Sequence, residues 1–346
     1  AGVPREIPQL LTDLAAGRTA GISVEVHGAD EPSRLEVSPT DLLGEALPPD
    51  QDIETWVQAA RLDWEIEMIP VSYQMGGRNH VMGDRFVLAR SDTQAALSVV
   101  SRDYQVVQPK EVLEFYRDLV EERHYKLETA GALDGGRKVW ALARTGLVAG
   151  VAGNAADELG AYVLLATSCD KSLATTIAFT SVRVVCQNTL GFAVHDVKKE
   201  SRRNIKVNHS RRFDPDQIKK DLGLMDDSWD KFKRQLTPMA GKEMSDSDAE
   251  QFFQALFQSE KEMKEEKISD LKRKEVMQLM SCYRHAPGQD LPTAKNTLWG
   301  AVSAVTYYVD HVRPSSGDRL DSAWFGTGAT LKEKAWQQAL EQTESE

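Results

Sequence analysis

Cysteine is nearly missing from this chain: its 346 residues include three, Cys169, Cys186 and Cys282, set far apart and with no CxxC pair. So sparse and odd a set excludes a disulfide scaffold, argues against a four-ligand zinc site and suits a reducing cytoplasm. Long apolar runs are missing too, and none approaches the ~20 residues of a membrane-spanning helix. The leading AGVPREIPQLLTDL has no basic stretch followed by an apolar one, which predicts no secretory signal, and its Ala1 start fits loss of an initiator methionine.

The usual signatures of catalysis are equally scarce. A phosphate loop needs GxxxxGK[ST]; the nearest candidate, Gly241-Lys242, has Leu236 at the first glycine and Glu243 at the metal-binding hydroxyl. Without those backbone amides no triphosphate is cradled, which counts against an ATP-driven motor. FGTGATL lacks the third glycine of a dinucleotide fingerprint and reads as a loop, and neither HExxH nor GxSxG occurs. Cys169 or Cys186 with His195 is a conceivable nucleophilic pair, but a small buried thiol explains each cysteine better. Paired carboxylates for Mg²⁺ could be drawn from Asp170 with Asp157 or Glu158. A turn-capping role for Asp170 in TSCDKS is the plainer alternative. The sequence therefore predicts no enzyme, no cofactor and no metal.

What the chain does have is a charge reversal. Residues 1–70 hold four Lys/Arg against fourteen Asp/Glu, and the total is −11. Residues 198–220, KKESRRNIKVNHSRRFDPDQIKK, hold nine Lys/Arg against three acids. A phosphate feels the local field within a Debye length of roughly 8–10 Å, so this block is a candidate polyanion surface inside an acidic protein. A merely solvated charged face is the bland reading.

The patterning predicts an α+β fold: a hairpin-rich mixed sheet with packed helices, then an α-helical C-terminal region. The divisions are 1–60, an acidic peripheral segment; 61–212, the α+β core; and 213–346, the helical part. WEIEMIPV and DRFVLAR flank the turn-rich GGRNHVMGD as a hairpin. QPKEVLEFYRDLVEE reads as a helix with Pro109 in its first turn and Val112, Phe115, Tyr116 and Leu119 on one stripe. YKLETAGAL, DGGR and KVWALART form a second hairpin, followed by the strands AYVLLATS and LATTIAFTSV. RVVCQNTLGFAVHD reads as a helix on that sheet. Further on, Ile218, Leu222, Met225, Trp229, Phe232 and Leu236 recur as a heptad stripe, the mark of a helix packed on a neighbour. KEEKISDLKRKEVMQLMSCYRH and NTLWGAVSAVTYYVDHV give two more helices, the latter with Leu298, Val302, Val305 and Val309 on one face.

LARSDTQAALSVVSRDYQVVQPKEVLEF, AYVLLATSCDKS, TSVRVVCQNTL and NTLWGAVSAVTYYVDH, in that order, resemble the phage/plasmid-like protein family, a domain of unknown function carried by bacteriophages, prophages and conjugative plasmids. The resemblance spans roughly 60–340 and departs at CDKS, where a His-Asp-Gly-Ser-like turn belongs. It implies a bacterial host cytoplasm and a setting of mobile elements, which commonly carry recombination genes. In outline the chain is also similar to single-strand annealing proteins of the Red-beta and RecT type, which need no ATP. That analogy is at the level of fold alone.

Together these readings predict a DNA-binding recombination protein that holds single-stranded DNA and promotes annealing as a homo-oligomeric ring or filament, with no membrane role. A phage or plasmid exonuclease or single-strand-binding protein is an expected partner. Lys198, Lys199, Arg202, Arg203, Lys206, Arg211 and Arg212 would neutralise phosphates. Arg183, Arg137 and Lys138 would extend the track, although a buried Arg183 would need an ionic partner. Trp140 or Tyr104 would offer stacking surfaces if not spent on the core. The competing readings are a non-catalytic interaction or assembly module and a metal-dependent nuclease.

Overall fold

The computed structural model describes residues 45–48, 51–123, 125–186, 188–191, 204–210, 225–258, 269–315 and 318–344. The described residues form one compact unit.

Two antiparallel sheets are laid down first. The smaller joins β2 (Ile66–Met75), β3 (Arg78–Arg90) and β4 (Ala96–Ser101) in that order. The larger has the order β1 (Glu45–Ala46), β5 (Lys126–Leu133), β6 (Lys138–Val151), β7 (Asn154–Ser168) and β8 (Thr175–Arg183). Two short strands share the far edge of β8. Asn188–Gly191 (β9) pairs Thr180–Arg183, and Asn204–Val207 (β10) pairs Thr175–Ala178. α1 (Ile53–Ala59) and α2 (Pro109–Arg123) belong to the same half.

Both faces of the large sheet are covered, so its central strands read as near-continuous apolar runs, as in AYVLLATS. Alternation still sorts them. Val139, Ala141, Ala143, Val163 and Leu165 share a core with α1, α2 and the small sheet, where Val112, Phe115, Tyr116 and Leu119 are buried as the helical stripe requires. Trp140, Leu142, Tyr162, Leu164 and Ala166 face the opposite way, toward Trp324 and Phe325.

The helical half comprises α3 (Met225–Gly241), α4 (Asp246–Phe257), α5 (Asp270–His285), α6 (Leu298–Tyr307, continued by a π-turn over Tyr308–Val312), α7 (Arg319–Phe325) and α8 (Thr327–Glu344). α6 is its axis: every residue from Leu298 to Thr306 is buried, which its apolar composition allows on all sides. Trp229, Phe232 and Leu236 of the heptad stripe are buried within this chain, with Phe232 stacked on Trp336 of α8 at 5.2 Å. Ile218 and Leu222 lie outside the described residues.

Two local expectations are corrected. In its described residues, 183–186 and 188–191, RVVCQNTLGFAVHD is not a helix: β8 ends at Arg183, a turn follows, and β9 returns along the same strand. The rest of the segment lies outside the described residues. Its β-branched, apolar run suits a buried strand as well as a helix, and periodicity cannot separate the two over so few residues. FGTGATL is not wholly a loop, because α8 starts at Thr327. Gly300 shows how tightly α6 is held: a Cβ there would lie 1.9 Å from the carbonyl oxygen of Ala294. Backbone cannot rotate away, so Gly300→Ala is expected to cost about 1–3 kcal/mol in chemical denaturation, the usual penalty of overpacking. An unchanged midpoint would show that the 286–297 loop yields freely.

Candidate nucleic-acid interface

The middle of the basic block is built into the fold. β10 completes the β8 edge, and Asn208, His209 and Ser210 then turn over the end of the sheet. There the amide of Gln105 donates to the His209 carbonyl at 2.7 Å, and the imidazole stacks on Tyr104 with centroids 4.7 Å apart. Nδ1 of His209 sits 3.1 Å from the Gln105 carbonyl oxygen and Nε2 3.1 Å from that of Leu173. Both partners are acceptors, so only the doubly protonated ring donates to both. Lys206 is exposed on β10.

The same rim carries CDKS. Asp170 Oδ1 accepts from the Ser172 amide at 2.9 Å, the turn-capping role expected of it. Burial pushes its carboxyl up, but the bonds from Ser172 and Ser168 prevail and hold it below the ordinary aspartate value. Lys171, with φ +68, reaches the Val99 carbonyl of β4 at 3.1 Å. Ser98 donates to the Cys169 carbonyl, which ties the small sheet to this turn. The result is a cleft of about 390 Å³ lined by Ser101, Asp103, Tyr104, Lys171, Asn208 and His209. Arg137, in the neighbouring β5–β6 turn, has its side chain 40% exposed and contacts Asp134 at 3.2 Å and the Leu97 carbonyl at 3.0 Å.

Sequence-chosen residues are thus divided. Arg137 and Lys206 reach the rim. Lys198, Lys199, Arg202, Arg203, Arg211 and Arg212 lie outside the described residues. Lys138 is taken out of the track by Asp321 of α7, 2.6 Å away. Arg183 lies at the opposite end of β8 and is 2% exposed, so it is an internal residue and not a phosphate contact. Tyr104 and Trp140 are also spent internally. Tyr104 donates to the Ser168 carbonyl at 2.8 Å beneath His209, and Trp140 meets Trp324 edge to face at 4.8 Å. Sequence reading passed over Lys171, whose signal was its place in a turn between two strongly apolar strands, and left His209 evenly between an ordinary histidine and a site residue.

Arg183 instead organises a buried polar junction between sheet and helices. Nε meets Asp157 Oδ1 at 2.5 Å and one terminal nitrogen meets Oδ2 at 2.8 Å, a bidentate pair. Thr293 (2.5 Å) and Trp299 Nε1 (3.2 Å) also donate to Oδ2, while the guanidinium reaches Ser303 Oγ and the Gly288 carbonyl. Asn188 donates to the Ser303 carbonyl and Thr306 on α6. Beside it Asp310 accepts from the Thr189 amide and hydroxyl and from Lys332 of α8, whose ammonium also meets the Thr189 carbonyl. RVVCQNT is the strip that fastens the two halves.

This junction also disposes of the carboxylate pairing. Asp157 lies near the start of β7 and Asp170 follows its end, and the strand from Asp157 to Ser168 alone spans roughly 36 Å at ~3.3 Å per residue. Glu158 turns to Arg144 at 3.6 Å. Among the described residues no group of three or more His, Cys, Asp or Glu is placed to hold a metal ion. Burial pushes the thiols of Cys169 up to about 12 and of Cys186 and Cys282 up to about 11, so all three stay protonated and unreactive at neutral pH. His195 lies outside the described residues. No described helix is long and apolar enough to cross a membrane.

A family model described as a domain of unknown function (DUF932) matches residues 96–340, covering the rim, the junction and the helical half. No curated protein and no solved structure matches the chain.

Proposed function

This chain belongs to the DUF932 family, and from that premise we propose that it is a phage or plasmid protein of the bacterial cytoplasm. In this reading it binds single-stranded DNA and promotes ATP-independent annealing as a homo-oligomer, beside an exonuclease or single-strand-binding protein of the same element. The observation that carries the reading is the docking of 204–210, the centre of the basic block, into the sheet edge, where Asn208 to Ser210 share a cleft with Lys171. The block is thereby anchored to a rigid rim at its middle, with Arg203 and Arg211 as the sequence neighbours of the anchored stretch. Cations on such a rim bind by backbone charge and leave bases free to pair, which is the physical requirement of annealing.

Fluorescence anisotropy with a labelled single-stranded oligonucleotide and its duplex, across a salt series, tests this. The expected result is preference for the single strand and a log–log salt slope of about −0.7 per phosphate contact. Arg202→Glu/Arg203→Glu/Arg211→Glu, and separately Lys171→Glu, should weaken binding about tenfold or more and flatten the slope. Flat curves for both substrates at low salt would remove the reading and leave the non-catalytic interaction module in its place.

A further inference from the structure

We propose that the arm formed by β2 and β3 is the surface through which this chain associates with a second copy of itself. This deepens the homo-oligomer part of the reading above and is independent of its DNA part. β4 pairs only Arg85–Ala89 of β3, so from Ser72 to Val81 the hairpin continues as a ribbon of two strands. A register shift between Pro70 and Ser72 marks where the ribbon leaves the three-stranded sheet. Along β2 every residue from Glu67 to Met75 except Val71 is exposed, and along β3 every residue from Arg78 to Arg85 except His80. A two-stranded ribbon open to water on both faces is marginal by itself.

The ribbon is nevertheless apolar. Met68, Ile69, Tyr73, Met75, Val81 and Met82 are 37–67% exposed, and Val99 of β4 adds 52%. Alternation places Tyr73 and Met75 on one face of the ribbon and Val81 on the other, so both faces leave large apolar side chains bare. Homodimer interfaces are roughly two-thirds apolar, and side chains of this kind are what such a contact buries.

Edge and charge point to the same occupant. Among the described residues β2 is a terminal strand of its sheet, and residues 68–76, MIPVSYQMG, carry no charge to deter pairing. Pro70 blocks one amide at the base of the arm and leaves the outer edge of Val71–Met75 open. Between Ser72 and Val81 the ribbon carries one charged side chain, Arg78, and at its base Asp84 and Arg85 pair with each other at 3.2 Å. So nearly neutral a ribbon does not repel a second copy about a two-fold axis and gives a polyanion little to hold. Two β2 edges running antiparallel would pair backbone with backbone and bury the apolar side chains of both arms.

Light scattering after size-exclusion chromatography, without DNA, tests the proposal. The full chain should elute at a multiple of its 38.5 kDa at micromolar concentration. Tyr73→Asp/Val81→Asp should bring the mass down to 38.5 kDa with an unchanged far-ultraviolet circular dichroism spectrum, because both side chains are exposed. Met75→Cys supplies an accessible thiol in a chain whose three cysteines are buried. A short bis-maleimide should then join two subunits in the otherwise native sequence and fail to do so in the double Asp background. A full chain that is monomeric at about 100 μM, or a double variant that keeps the full mass, overturns the proposal. A monomeric full chain that self-associates once residues 1–44 are deleted also overturns it and assigns the arm to that segment. The Arg202→Glu/Arg203→Glu/Arg211→Glu variant should keep the full mass, which separates failure of self-association from failure of DNA binding.

Discussion

Asp157→Ala is expected to lower stability by about 3–5 kcal/mol, because it strands the guanidinium of Arg183 in a site that is closed to water. The carboxylate accepts four hydrogen bonds, from Arg183 twice and from Thr293 and Trp299 once each, and it is fully buried. None of those donors has water to fall back on. Urea unfolding followed by tryptophan fluorescence reads the loss, and a change below about 1 kcal/mol would mean that water enters the junction freely. The pair is not thereby a net source of stability. Its assembly cost the desolvation of two ions, so Asp157→Leu/Arg183→Met should be far less damaging than either single change. Such a double variant that fared as badly as Asp157→Ala would show that the geometry of the junction, and not charge balance, is what the fold requires.

Asp310→Ala should be nearly as severe at neutral pH, also about 3–5 kcal/mol, and its cost should depend on pH. Burial holds the Lys332 ammonium below the ordinary lysine value, with Asp310 partly opposing that shift. The folded chain thus binds the Lys332 proton less tightly than the unfolded chain. Between the lowered folded value and the ordinary value near 10.4, the unfolded state carries more protons, so stability rises with pH across that window. Removing Asp310 takes away the opposing interaction, drives the folded value lower still and widens the window. The deficit of Asp310→Ala relative to the parent should therefore shrink as pH is raised from 7 toward 9. A deficit independent of pH would assign the loss to the Thr189 amide and hydroxyl, which also lose their acceptor.

The α+β class and several elements were legible because their signals are local. Pro109 and the Val112–Leu119 stripe define α2, and Asp134-Gly135-Gly136 marks the β5–β6 turn. The β2–β3 hairpin was legible in its existence but not in its length. GGRNHVMGD looked like a long turn, yet only Gly76 and Gly77 turn, both at positive φ, and the rest extends β3. Solvent on both faces of that arm removes the alternation that announces a strand. β9 was missed for a different reason. Asn188 and Thr189 are placed by partners 115 and more residues away in sequence, a relation no window of residues contains. The fate of the cations was legible only for Arg183, whose apolar neighbours already demanded an ionic partner. Lys138 carries no such sign, because Asp321 reaches it from a helix 183 residues further on.

The Thr189–Lys332 contact also sets an order in time. During synthesis the strands of the large sheet leave the ribosome first, yet Thr189 and Asp310 wait for an ammonium group carried 143 and 22 residues downstream of them. Until α8 has emerged, the far edge of the sheet holds a carboxylate, a backbone carbonyl and a hydroxyl with their shared donor still unmade. The nascent chain therefore cannot close its core strand by strand. Helix α8 completes it, and a protein truncated before Lys332 is held open at the strip that joins its two halves.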